Sequence, residues 1–249
     1  VALQEEMELQ GQFLFKHRGI LPLIILVIGL YVYISEQVSY NEGRMMMTQS
    51  WYEYVCLLVS LFGLAFRIYV VGHAHSRTSG RNTKGQVADN VNTTGIYSIM
   101  RHPLYTGNFI MWLGVALLTQ NVWFIAAFIA AYIVYYERIM FAEEQFLRRK
   151  FTDKYLQWAS QTPAFFPSFK RYKSAELDFS VFKVLIQEKN GLLAVFVIFF
   201  VFQQAAVYFR DGNFDIRDPF IAGGLAVSVV YYLTIKILQK TTKIAKRAR

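Results

Sequence analysis

Residues 104–136 read LYTGNFIMWLGVALLTQNVWFIAAFIAAYIVYY, two apolar runs parted only by Thr119, Gln120 and Asn121. The runs, Leu104–Leu118 and Val122–Tyr136, each fall short of the roughly 20 apolar residues that carry a helix across a bilayer. Three polar residues cannot cross a headgroup region and return, so the runs read as an antiparallel helical hairpin. Helix is the form in which backbone inside lipid satisfies its own hydrogen bonds. Outward from the hairpin, Phe13–Ile34 and Trp51–Val71 precede it, and Gly191–Phe209 and Pro219–Leu238 follow. The expectation is an all-α polytopic membrane protein with about six transmembrane helices.

Composition agrees. The chain of 249 residues is 55% hydrophobic and only 17% charged, too apolar for disorder and poor in charge for a soluble domain. Its single cysteine, Cys56, lies in an apolar run, which excludes a disulfide framework and a cysteine-based metal site. The net charge of +9 is a matter of placement. Successive connections on one side carry 2, 4, 10 and 6 Lys or Arg, against 1, 0 and 2 on the other. Basic connections stay cytosolic, so both termini are expected to face the cytosol, in contact with anionic lipid; nucleic acid is not needed to explain the charge. The first span lacks a small-residue cleavage pattern and is expected to remain as an anchor.

The chain divides into an N-terminal transmembrane region with its polar loop (1–94), a core of hairpin and cytosolic helix (95–172), and a C-terminal pair of spans with a basic tail (173–249). Arg101, His102 and Pro103 enter the hairpin, and Glu137, Arg138, Glu143 and Glu144 leave it. With the turn near Gln120, Arg101 is level with a residue near Ile139, because both arms rise about 1.5 Å per residue. An arginine–histidine pair and a glutamate pair therefore meet at one membrane surface, the basic one. Pro103 suits a first helical turn. Beyond Tyr136 the period of Met140, Glu144, Leu147, Phe151, Tyr155 and Trp158 predicts that the helix continues into the cytosol, as a membrane-surface helix or as a pocket wall.

Other candidates carry less. His73 and His75 are two apart and face different ways on a helix, so no metal is assigned to them. Arg67, inside the second span, either pairs within a polar cavity or snorkels to the surface. Gly107 and Gly114 share a helix face that suits close packing. Asn92-Thr93-Thr94 has the form of a glycosylation triplet on the wrong side of the membrane.

The stretch Gly95-Ile96-Tyr97-Ser98-Ile99-Met100-Arg101-His102-Pro103-Leu104-Tyr105-Thr106-Gly107-Asn108 resembles the G-x-Y-x-x-x-R-H-P-x-Y-x-G signature of the isoprenylcysteine carboxyl methyltransferase and phospholipid methyltransferase superfamily. Glu143-Glu144-Gln145-Phe146-Leu147, then Phe151, Tyr155 and the Pro163–Pro167 ending, resemble its second block. Thr152 stands where that family usually has glycine, and Trp158 where it usually has tyrosine. The resemblance implies S-adenosylmethionine as methyl donor in a cytosol-facing pocket. Gly95, Tyr97, His102, Pro103, Tyr105, Gly107, Asn108, Glu144, Leu147 and Tyr155 are implied at the donor site, with Arg101 and Glu143 as catalytic residues. None of the fifteen glycines forms a G-x-G pair, so a soluble-type nucleotide loop is missing.

The expected reaction is methyl transfer to the polar head of a lipid or lipidated molecule, a carboxylate or phosphate oxygen being favoured over an amine. The basic surroundings suit an anion, and Arg101 is the expected clamp for it. The alternatives are a sterol- or steroid-type NADPH-dependent reductase, whose hairpin is similar, and a non-enzymatic membrane scaffold or transporter.

Overall fold

The computed structural model describes residues 2–41, 50–75, 86–216 and 218–241. Within them the chain forms helices α1 (Leu3–His17), α2 (Leu21–Asn41), α3 (Ser50–His73), α4 (Pro103–Leu118), α5 (Val122–Ala159), α6 (Val181–Asp211) and α7 (Pro219–Thr241), with two short 3-10 turns and no strand. Four of these, Trp51–His73 within α3, then α5, α6 and α7, are long and apolar enough to cross a membrane.

The first expected span, Phe13–Ile34, is not one helix. The polar run Lys16-His17-Arg18-Gly19 interrupts it, and α1 and α2 meet at a 71° bend. Backbone bonds from Ile20 to His17 and from Leu23 to Ile20 close the elbow. Bent away from α2, α1 lies along α5. Gly11 makes that approach possible, since a Cβ there would fall 2.1 Å from the Arg138 carbonyl oxygen. Tyr135 donates to the Leu14 carbonyl at 3.2 Å, and Glu8 pairs with Arg149.

The connection between α4 and α5 is as tight as its composition suggests. Gln120 takes a left-handed φ of 54°. Thr119 Oγ1 donates to the Ala116 carbonyl, and Asn121 Oδ1 accepts from Phe124 N at 2.8 Å, capping α5. At 16 residues α4 is the shorter arm, and it packs chiefly on α3. Glycine is the reason. A Cβ on Gly63 would sit 2.8 Å from the Gly107 carbonyl oxygen, and one on Gly114 would sit 2.2 Å from Ser60 Oγ.

Helix α5 has 38 residues, about 57 Å, so roughly half of it extends beyond a 30 Å hydrocarbon layer. By composition the apolar Val122–Tyr136 part is the membrane-suited segment, and the charged Glu137–Ala159 part continues past it. Thr152 breaks this outer part with φ 43° and ψ −120°, a conformation suited to glycine. The position where the resembling family has glycine is thus a kink, which threonine holds under strain. Thr152→Gly is expected to stabilise the protein by about 1 kcal/mol, a rise of roughly 2–4 °C in melting temperature, read by thermal unfolding in detergent.

Two apolar clusters hold the bundle. One joins Tyr33, Leu57, Val115, Phe199, Phe202 and Ile221 across α2, α3, α4, α6 and α7. The other joins Phe15, Phe128, Tyr132, Tyr136 and Ile139 across α1 and α5, with Ala116 of α4.

Candidate active site

The entry to α4 is held by backbone pairing. Gly95, at φ 61°, donates to the Lys173 carbonyl at 3.0 Å. Arg101 N donates to the Pro163 carbonyl at 2.8 Å, His102 N to Ala164 at 3.1 Å, and Ser168 N to Ile99 at 2.9 Å. Residues 95–102 thus lie along 163–173, with an isolated antiparallel bridge between Gly95 and Lys173. Proline matters at 163 as a ring that ends the helix while its carbonyl still accepts. This clasp fixes where Arg101 and His102 project.

They project onto the glutamate pair. Glu144 Oε1 accepts from Arg101 Nε at 2.8 Å and lies 2.9 Å from His102 Nε2. The second glutamate lies on the other side of the imidazole, with Glu143 Oε2 3.7 Å from His102 Nδ1. Tyr105 donates to Glu143 Oε1 at 2.7 Å, and its own carbonyl accepts from Tyr132 at 2.8 Å. Arg101 Nη1 is also committed, donating to the Ala159 and Thr162 carbonyls at 2.8 Å each. The guanidinium therefore ties down the end of α5.

The two carboxyls differ electrostatically. Burial opposes the charge on Glu144, but the hydrogen bond and charge of His102, with those of Arg101, outweigh it and hold the group below the usual carboxylate value. Burial dominates at Glu143 and raises it, with His102, the Tyr105 hydroxyl and Arg18 offsetting only part. Burial likewise raises the Tyr97 phenol.

A cavity of about 600 Å³ opens beside this cluster. Arg101, Glu143, Tyr97, His102, Pro103, Tyr105, Asn108 and Leu147 line it, together with Trp158. Glu144, Gly95, Gly107 and Tyr155 are not among the lining residues. Glu144 and the buried Tyr155 stand behind the wall, Gly95 serves the backbone clasp, and Gly107 lies at the α3 contact, where a Cβ would be 2.5 Å from Arg67 Cγ. The two glutamates thus divide the work, Glu143 facing the cavity and Glu144 holding Arg101 and His102.

Three lining features escaped the sequence reading. Arg18, at the α1–α2 elbow, reaches the cavity with its guanidinium 3.9 Å over the Phe15 ring. Asn92, from the glycosylation-like triplet, lines the cavity, and its Oδ1 accepts from His75 N at 2.9 Å. Glu188 of α6 pairs with Arg67, which settles the alternatives for Arg67 in favour of pairing. The signal for Glu188 was present in the deep arginine that needed a partner. It was hidden because α6 begins at Val181, ten residues before the apolar run that marked the span. No group of three or more His, Cys, Asp or Glu suited to a metal occurs among the described residues, and His73 and His75 have separate partners in Tyr69 and Asn92.

Residues 78–154, which carry both halves of this cluster, match phospholipid methyltransferase. That match is to a family within the membrane methyltransferase superfamily that includes the isoprenylcysteine carboxyl methyltransferases. With four helices able to cross a bilayer, the family points to an integral membrane protein.

Two curated relatives are similar to the chain. The nickel-cobalt-cadmium resistance protein NccN of Alcaligenes xylosoxydans xylosoxydans is 28% identical over 163 residues, 65% of this chain and 70% of its own. The cobalt-zinc-cadmium resistance protein CzcN of Cupriavidus metallidurans is 35% identical over 81 residues, 32% of this chain and 37% of its own. No solved structure matches significantly.

Proposed function

We propose that this protein is an S-adenosylmethionine-dependent methyltransferase that acts on the polar head of a lipid or lipidated molecule from the bilayer. The observation that carries the reading is Glu143, a part-buried carboxylate that lines a 600 Å³ cavity together with Tyr97, Tyr105 and His102. The volume lies in the usual range for small-molecule sites. Carboxylate and aromatic faces are the partners that an ammonium and a sulfonium prefer, so the residues present fit the donor. Once bound, S-adenosylmethionine supplies an electrophilic methyl: the S–CH3 bond breaks as an acceptor lone pair forms the new bond, and a neutral thioether leaves.

The chain's own residues orient and exclude water. Glu143 would hold the donor's ammonium, its carboxylate fixed by the Tyr105 hydroxyl. His102 and Glu144 brace that wall, and Arg101 pins the end of α5 over it, as positioning residues. Arg18 and Arg101 are the cavity cations that could meet an anionic head, Arg101 while it also donates to Glu144 and to two carbonyls. An anionic oxygen acceptor attacks without losing a proton. An amine acceptor loses one, and Glu143 or His102 would take it. The cavity's polar end lies at the outer part of α5, in keeping with a cytosol-facing site and cytosolic termini.

The test is thermal unfolding of the detergent-purified protein with S-adenosylhomocysteine and, separately, NADPH. S-adenosylhomocysteine at 100 times its Kd should stabilise by about 2.7 kcal/mol. Stabilisation by NADPH alone would favour a reductase, and a response to neither a scaffold.

A further inference from the structure

The donor-end residues leave one cavity cluster unexplained. Arg67 of α3, Asn108 of α4 and Glu188 of α6 meet inside the same cavity. Each lies five to seven residues in from the Glu143 end of its helix, counted from His73, Pro103 and Val181. At 1.5 Å per residue that is one common depth, roughly 8–11 Å. Three helices bringing polar side chains to one depth in an apolar bundle is costly unless the group has a use.

The bonding pattern defines what the cluster can take. Glu188 accepts from Arg67 Nε at 3.1 Å and Nη2 at 2.7 Å, a two-point ion pair. Arg67 Nη1 donates to Asn108 Oδ1 at 2.7 Å and, at 3.5 Å, to the Leu104 carbonyl. Among the described residues these bonds use four of the five guanidinium hydrogens, leaving one on Nη2. Because Arg67 holds the Asn108 oxygen, the amide's NH2 points elsewhere, one hydrogen to the Tyr136 hydroxyl and the second left to offer. The ion pair is neutral as a unit. A charged ligand group would enter without a counter-charge and compete with a two-point bond. A carbonyl oxygen needs only donors, which Arg67 and Asn108 offer.

Glycine keeps the space beside the pair open. A Cβ on Gly191 would stand 3.4 Å from Glu188 Oε2 and 3.1 Å from Leu64 Cδ1. Past the cluster the lining turns apolar, with Met111, Val115, Val195 and Ile198.

The geometry points to a second polar subsite at Arg67, Asn108 and Glu188 that receives an uncharged carbonyl oxygen of the methyl acceptor. The acceptor is then an acyl-linked amphiphile, with an ester or amide carbonyl below its reacting head, and not a prenyl or alkyl chain without one. This deepens the methyltransferase reading and rests on it for the word acceptor; carbonyl recognition is measured independently.

The experiment is calorimetric titration of the full chain in detergent with dioctanoylglycerophosphoethanolamine and with its dioctyl-ether counterpart, which keeps the head and lacks both carbonyls. The diester is expected to bind about tenfold more tightly, the worth of one hydrogen bond to a charged donor. The double variant Arg67→Met/Glu188→Met should bind both lipids within about twofold. If it shows no cooperative unfolding, Asn108→Leu, which leaves the ion pair in place, carries the same expectation. Equal affinities in the wild type, absent binding of both lipids included, overturn the subsite, as does a preference that survives in the folded variants. A separate titration with S-adenosylhomocysteine distinguishes the two failures. Absent uptake of it defeats the methyltransferase reading, whereas uptake with no diester preference defeats the subsite alone.

Discussion

Glu143→Gln is expected to lower the affinity for S-adenosylhomocysteine about tenfold or more, while Glu144→Ala is expected to act first on stability. The contrast follows from geometry. Glu143 lines the cavity, so removing its charge should withdraw the proposed counter-ion for the donor's ammonium, worth about 1.5–3 kcal/mol. Glu144 is not among the lining residues and serves as the common acceptor for Arg101 and His102. Its loss leaves two part-buried donors unmatched and should cost about 1–3 kcal/mol in unfolding free energy.

The same difference has a pH signature. Burial raises Glu143, so its carboxylate takes up a proton at a higher pH than an ordinary glutamate. Wild-type donor affinity should therefore fall as the solution turns mildly acidic, and Glu143→Gln should flatten that profile. Glu144, held low by His102 and Arg101, stays ionised through this window. Calorimetric affinity measured from neutral to acid pH reads the effect. A wild-type profile as flat as the variant's would remove Glu143 from the donor site.

Breaking the deep ion pair has the largest expected effect on stability. Arg67→Met leaves Glu188, whose side chain is 4% exposed, charged and unpartnered among apolar helices. The expected cost is about 3–5 kcal/mol, or roughly 6–20 °C in melting temperature for a chain of this size. Glu188→Met should behave alike. The double replacement should recover most of the loss, since it removes the buried charges together with their attraction. Thermal unfolding of the three variants in one detergent forms a double-mutant cycle with the wild type. Additive losses would mean that the two side chains act separately.

Legibility followed the range of the forces involved. Thr119, Gln120 and Asn121 were readable as a turn because turn chemistry is local and the apolar runs on either side were unbroken. The meeting of Arg101 and His102 with Glu143 and Glu144 was readable because a tight hairpin converts sequence separation into height along two arms. The elbow after His17 was harder. Hydropathy averages over Lys16-His17-Arg18-Gly19 and sees one span, whereas the chain bends where Gly11 lets α1 approach the Arg138 carbonyl. Thr152 was flagged only as a departure from a familiar pattern; its φ shows that the departure sits at a kink.

Composition, basic-residue placement and helical period determined by themselves that the chain is helical and apolar and that its candidate chemistry gathers at the ends of one hairpin, because these depend on near neighbours and on solvent. Tertiary structure alone decided which glutamate faces the cavity, that Arg101 is spent on the end of α5, and that Arg67 finds Glu188 across 121 positions of sequence. Adjacent residues on a helix point about 100° apart. Which of the two meets ligand and which meets protein depends on what packs behind them, and the linear order of residues does not contain that.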